Sequence, residues 1–234
     1  MKKIQVITLF PEMLSGVFGS SMMWKAQKES AAEFTTIDLR QFGLGPRRQV
    51  DDTPYGGGDG MLLKPEPLFA AVEQAKVADP TARVFLMTPR GRRLKQALAQ
   101  EWADDERGMI FICGRYEGYD ERIVSLVDEQ VSVGDYVLTG GELPAMTIID
   151  AVVRLLPGVL GGEQSAAIES FSDGETLEFP QYTRPITPQL LPGGPSIRIK
   201  LSNGAEILKI PRSAGVFSLW WVIVERSVTT YFWS

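Results

Sequence analysis

The chain has 234 residues, 44% of them hydrophobic and 23% charged, enough for one large domain or one domain with a smaller partner. It holds no histidine and one cysteine, Cys113, which excludes Ser-His-Asp and Cys-His nucleophile systems, histidine metal sites, CxxC pairs and an intramolecular disulfide framework. The net charge of −5 speaks against a generic nucleic-acid footprint and still permits a local basic patch.

The opening MKKIQVITLFPEM carries two lysines and a short apolar stretch but no small-residue cleavage site. Residues 3–9 therefore read as a first strand, and a cytoplasmic location is expected. Further strand-like runs at 34–39, 83–88, 108–113 and 129–138 alternate with helix-like stretches at 65–77, 92–104 and 142–156. Continuous apolar strands alternating with helices predict an α/β domain with a mostly parallel sheet and helices on both faces. In such sheets ligands bind beyond the carboxyl ends of the strands.

The loops follow in the same order. YGGGDGM at 55–61 has neither the GxGxxG spacing of a dinucleotide fold nor a Gly-Lys pair, and it suits a ligand-facing loop and a flexible surface loop equally. LMTPRGRRLK at 86–95 leaves its strand into a basic turn of Arg90, Arg92, Arg93 and Lys95, fit either to track phosphates or to solvate a helix start. CGRYEGYDER at 113–122 sets Arg115, Tyr116 and Glu117 between two glycines, with Asp120 and Glu121 suited to the start of the next helix. VSVGDYVLTGGELPAM at 131–146 breaks from strand to helix at Gly140 and Gly141. No loop bears a phosphate-binding signature. A ligand held mostly by backbone groups, with an adenine in an apolar slot of residues such as Leu138 and Leu143, fits them, and the two glycines would make room for its nucleoside.

After Leu156 the character changes. Residues 157–183 contain five acidic residues and no Lys or Arg, a length and composition that predict a linker or mobile loop. From Pro185 onward Lys and Arg outnumber Asp and Glu by 5 to 2. The longest apolar run, LWWVIV at 219–224, is too short for a membrane span and reads as a strand, a partner contact or an aggregation-prone segment.

PYGGGDGM, CGRYEGYDER, VGDYVLTGGELPAM, RLLPGVLG and PQYTRP, in this order over roughly residues 1–185, closely resemble the bacterial tRNA (guanine-N1)-methyltransferases of the TrmD family. The resemblance implies a SPOUT-class α/β fold with a deep trefoil knot over residues 1–160, a flexible linker over 161–184, and a small C-terminal tRNA-binding-like segment over 185–234. It further implies a homodimer, tRNA as substrate and S-adenosylmethionine as methyl donor, and leaves open whether Mg2+ assists. On the matching positions the donor site falls on Met87, Thr88 and Pro89, on Gly114, Arg115, Tyr116 and Glu117, and on Val133, Gly134, Tyr136, Leu138, Gly140, Gly141 and Pro144. The target is N1 of the guanine immediately 3′ of the anticodon.

That chemistry needs a base for the N1 proton, and a carboxylate is the natural choice without histidine. It also needs a cation where charge builds on O6. By the resemblance the cation is Arg154 and the base is Glu169, where the family usually has aspartate, with Asp173 as a reserve. Arg47 and Phe179 stand where the family commonly has histidine. LSNGAEI at 201–207 is only an echo of the family's C-terminal stretch, and the β-branched and aromatic residues after it favour strand over the family's helices. These departures keep two alternatives in view: a SPOUT methyltransferase acting on another RNA site, and a catalytically weak RNA- or nucleoside-binding relative.

Overall fold

The computed structural model describes residues 1–161, 169–172 and 174–178, together with the backbone of four strands between 197 and 229. The chain forms two compact units, Met1–Glu178 and Phe179–Ser234, and the division falls inside the segment read as a linker. Asp173, Phe179 and the PQYTRP stretch lie outside the described residues.

In the first unit the elements run β1 (Lys2–Thr8), α1 (Glu12–Phe18), α2 (Ser21–Lys28), β2 (Ala32–Asp38), β3 (Asp51–Asp52), β4 (Leu62–Leu63), α3 (Pro65–Ala78), β5 (Arg83–Arg93), α4 (Gln96–Asp104), β6 (Met109–Ile112), β7 (Glu129–Ser132) and α5 (Glu142–Val153). The main sheet has the order β2-β1-β6-β5-β7, and every neighbouring pair is parallel. β3 and β4 form a short antiparallel pair outside it.

The pleat explains why the central strands read as unbroken apolar runs. Along β6, Met109 and Phe111 join one core with Phe85, Trp102, Ile148 and Val152, under α4 and α5. Ile110 and Ile112 join the other, with Leu68, Val72 and Ala75 of α3. The Phe85 ring meets Trp102 edge-on at 5.2 Å and stacks on Phe111 at 5.3 Å, an arrangement that adds about 1 kcal/mol per pair to area burial.

Three element boundaries differ from the expectation. The helix expected at 92–104 begins at Gln96, because β5 continues through Arg93. Met87 and Arg92 both pair with Val131, so residues 88–91 loop out of the strand as a bulge. At Gly91 a Cβ would lie 2.3 Å from the Val131 amide nitrogen, so only glycine permits that approach. The strand expected at 129–138 stops at Ser132; Tyr136 and Val137 beyond it are 56% and 84% exposed, so their β propensity has no packing surface to act on. The helix expected at 142–156 ends at Val153.

The second unit holds β8 (Ile197–Lys200), β9 (Glu206–Lys209), β10 (Trp221–Glu225) and β11 (Val228–Thr229) in one antiparallel sheet, ordered β11-β10-β9-β8. The strand reading of the tail agrees with this. Among the described residues no helix is long and apolar enough to cross a membrane.

Candidate active site

The carboxyl ends of the adjacent strands β6, β5 and β7 deliver three loops to one side of the sheet, and together with the start of α5 these enclose a cavity of about 350 Å³. That volume lies within the range of small-ligand sites. Met87, Thr88 and Pro89 enter from the bulge in β5. Gly114, Arg115, Tyr116 and Glu117 come from the loop after β6. Val133, Gly134, Tyr136, Leu138, Gly140 and Gly141 follow β7, and Pro144 closes the ring from α5. All fourteen positions assigned to the donor by resemblance therefore line one cavity. Arg90, Gly118, Tyr119, Val131, Ser132, Val137 and Thr139 complete the wall, and the donor assignment had left them out. Leu143 does not line it: α5 turns Pro144 and Ala145 inward and leaves Leu143 51% exposed.

The glycines at the opening of α5 line the cavity, as expected of a ligand-facing turn, and they also let its walls meet. At Gly140 a Cβ would lie 2.3 Å from Arg115 Nε, and at Gly141 it would lie 2.7 Å from Cys113 Cα and 2.9 Å from the Gly114 nitrogen. Their missing side chains let one wall loop press on another. Opposite them Tyr116 adopts φ +60°, with 53% of its surface exposed. A left-handed conformation at a non-glycine residue costs on the order of 1 kcal/mol or more, and such strain collects at functional sites.

The glycine-rich loop at 55–61 docks beside this wall without lining the cavity. Gly56, Gly57, Gly58 and Gly60 all have positive φ, which no other residue adopts as cheaply. The Glu117 amide donates to Met61 O at 3.0 Å and the Leu63 amide to Gly118 O at 2.9 Å, joining the loop to the back of the cavity.

Behind the wall sits a polar network that sequence reading missed. Glu142 is fully buried; Thr8 Oγ1 donates to its Oε1 at 2.7 Å, and Arg115 Nη2 lies 2.9 Å from its Oε2. The Arg115 guanidinium also stands over the Phe10 ring, 4.6 Å from its centre. An acidic residue at the first position of a helix ordinarily signals only a favourable dipole contact, so the sequence held no cue to its burial. Cys113, beneath the same wall, is buried, and burial reinforced by the Glu142 charge pushes its thiol up, away from nucleophilic use.

The basic turn pairs with carboxylates. Arg90 reaches Glu121 at 2.7 Å, Arg92 reaches Glu129 at 3.3 Å, and Arg93 bonds Asp135. These arginines are more than half exposed, so water screens each pair and it yields readily to a stronger anion. Asp120 caps the short 3-10 turn at Glu121–Leu126 by accepting from the Arg122 amide, as the reading of that loop expected.

Arg154 and Glu169, assigned by resemblance to the chemistry, meet directly: Arg154 Nη2 donates to Glu169 Oε1. Arg154 caps the carboxyl end of α5, whereas Pro144 near the other end lines the cavity. Ten residues separate them, about 15 Å along the helix axis, and neither member of the pair lines the cavity. Among the described residues no group of three or more Cys, Asp or Glu side chains is placed to hold a metal ion.

The model of the family described as "tRNA (Guanine-1)-methyltransferase TrmD" matches residues 1–197. A tRNA (guanine-N(1)-)-methyltransferase of Myxococcus xanthus (strain DK1622) is 53% identical over 182 residues, covering 78% of this chain and 73% of that protein. One of the same description from Staphylococcus haemolyticus (strain JCSC1435) is 55% identical over 184 residues, covering 78% and 74%. The crystal structure of the tRNA (m1G37) methyltransferase from Aquifex aeolicus superposes with a TM-score of 0.67 at 40% identity, over 80% of this chain and 78% of that one. With its loops, cavity and Arg154–Glu169 pair so arranged, the chain belongs to the TrmD family of tRNA (guanine-1)-methyltransferases.

Proposed function

We propose that this chain transfers a methyl group from S-adenosylmethionine to N1 of the guanine immediately 3′ of the tRNA anticodon, and that it works in the cytoplasm as a homodimer built on a deep trefoil knot. The observation that carries the proposal is the single cavity lined by all fourteen donor positions. Its walls are largely backbone and apolar side chain, with few charged groups, which fits a nucleoside bearing an amino-acid arm. Leu138 and Pro144 offer apolar surface, and the backbone groups of the 114–118 and 133–141 loops offer hydrogen bonds. Bound there, the donor supplies an electrophilic methyl on a sulfonium.

The acceptor side falls to Arg154 and Glu169. The edge of guanine presents an acceptor at O6 and a donor at N1–H. It can therefore replace each side chain as the other's partner, the guanidinium donating to O6 and the carboxylate accepting from N1–H. Glu169 then takes the N1 proton and Arg154 stabilises the charge on O6. The separation of about 15 Å along α5 supports the homodimer, because the pair of one protomer would have to serve its partner's cavity. In the same reading the C-terminal segment grips tRNA.

The test is to incubate labelled S-adenosylmethionine with tRNA transcripts that carry or lack the target guanine and to map the methyl group. Label on N1 of that guanine supports the proposal; label elsewhere assigns another RNA site. Tight donor binding with no transfer identifies a catalytically weak relative, the reading that glutamate at position 169 favours. The same assay with a chelator reads whether Mg2+ contributes.

A further inference from the structure

Glu142 is the only acidic side chain among the described residues that is buried. A carboxylate without solvent is costly unless its oxygens are well bonded, and an apolar side chain of similar size often gives a more stable fold. The bonding of Glu142 is incomplete. Thr8 holds Oε1, but Oε2 faces Arg115 Nη2 at 2.9 Å without an aligned hydrogen bond, and Arg115 Nε has no partner. Stability alone does not explain a pair of this kind.

Its surroundings do. The Arg115 guanidinium is fixed on one side by the Phe10 ring and on the other by Gly140, whose absent Cβ leaves the space it occupies. From that position Nη1 reaches Thr139 O at 3.4 Å. Arg115, Thr139 and Gly140 all line the cavity, whereas Glu142 and Thr8 stand behind it. Thr8 ends β1, so the carboxylate ties the sheet to the wall through the side chain of Arg115. Without the negative charge the guanidinium keeps only the Phe10 ring, the long contact with Thr139 O and a contact of Nη2 with Met13 Sδ at 3.0 Å, and its hold on residues 139–140 weakens.

We infer that Glu142 is a positioning residue for the methyl-donor site, acting through Arg115. The inference rests on the reading of the cavity as the donor site. It makes a statement that a merely structural role does not make: the effect of losing the charge at 142 passes entirely through Arg115.

The experiment is a double-mutant cycle on the full-length protein, with donor affinity measured calorimetrically using S-adenosylmethionine and folding checked by circular dichroism. Glu142→Gln keeps the shape and removes the charge; Arg115→Met keeps the bulk and removes the fork. Each single variant should weaken donor binding about tenfold or more, and the double variant should be no more than about threefold weaker than Arg115→Met alone. In turnover the loss for Glu142→Gln should appear in the KM for the donor and not in the KM for tRNA. If Arg115→Met binds the donor as the parent does, this inference fails; the cavity reading falls only if Leu138→Arg, at another lining position, also binds it as the parent does. If Arg115→Met is weakened while folded Glu142→Gln is not, the cavity reading stands and this inference fails. An additive double variant overturns it as well, because Glu142 would then act by another route. Should Glu142→Gln not fold, the double variant leaves no lone buried charge, and its comparison with Arg115→Met decides the same question.

Discussion

The backbone amide of Gly141 donates to the carbonyl of Gly114 at 2.9 Å, joining the loop after β6 to the start of α5. A side chain at Gly141 would meet Cys113 Cα at 2.7 Å, a backbone atom that cannot swing aside. Gly141→Val should therefore lower thermal stability together with donor affinity, by the 1–3 kcal/mol or so of an overpacked site. Leu138 makes the contrast: it lines the cavity but is 39% exposed and carries no core packing. Leu138→Arg should weaken donor binding about tenfold or more while the melting temperature moves by no more than about 2 °C. Calorimetry and thermal unfolding on both variants check this, and a Gly141→Val protein with parental stability and no donor binding would return the glycine to the ligand.

How much of this was readable in advance depended on burial. The central strands β1, β5 and β6 were legible because burial on both faces turns a strand into an unbroken apolar run, as at Ile110–Ile112. The cavity was legible because its loops follow those strands and match a family pattern residue by residue. Exposed and short elements were not. α1 spans seven residues and contains Gly16, too little periodicity to register against its surroundings. The length of β5 depends on Met87 and Arg92 sharing one partner across the sheet, a fact of tertiary pairing. Glu142 shows the limit most clearly, since its burial depends on Thr8 and Arg115, 134 and 27 residues away in sequence.

The distance between Arg154 and the cavity gives a test of assembly. If each site combines the cavity of one protomer with the Arg154–Glu169 pair of the other, two differently damaged chains should rescue one another. Assayed at limiting donor, where Arg154→Ala and Leu138→Arg proteins are each weakly active alone, the two should regain about a quarter of parental activity when unfolded and refolded together in equal amounts, from mixed dimers holding one intact site. Sedimentation should show a dimer without tRNA. A monomer with full activity would contradict the proposal.

Acid stability offers an independent check of the surface at the end of α4. Hydrogen bonds from Arg107 hold Asp105 at about 2, below the usual carboxylate range, against the opposing effect of partial burial. A carboxyl with a depressed folded-state pKa contributes stability that is complete above its unfolded value and lost as pH falls through the folded value. Asp105→Asn should thus destabilise the protein at neutral pH, and the difference from the parent should vanish between about pH 4 and pH 2. Because Arg107 is half exposed, the neutral-pH difference should stay below about 1 kcal/mol in urea titrations.

Glu169 carries the most specific expectation. Its carboxylate is held by Arg154, and the backbone around it is tied locally: the Ser172 amide donates to Glu169 O at 3.1 Å and the Phe171 amide to Thr176 O at 2.7 Å. Glu169→Gln preserves shape and hydrogen bonding to Arg154, but the amide cannot accept the N1 proton. It should bind the donor as the parent does and lose methyl transfer by about 10²-fold or more. Glu169→Asp restores the usual family residue and should match or exceed the parent, since a misplacement of about 1 Å is enough to cost about 10²-fold in rate. Asp173→Asn should matter less. Single-turnover transfer at saturating donor separates these cases. Parental turnover in Glu169→Gln with a dead Asp173→Asn would move the base to Asp173, and activity in both would hand the proton to water and end the carboxylate mechanism for this chain.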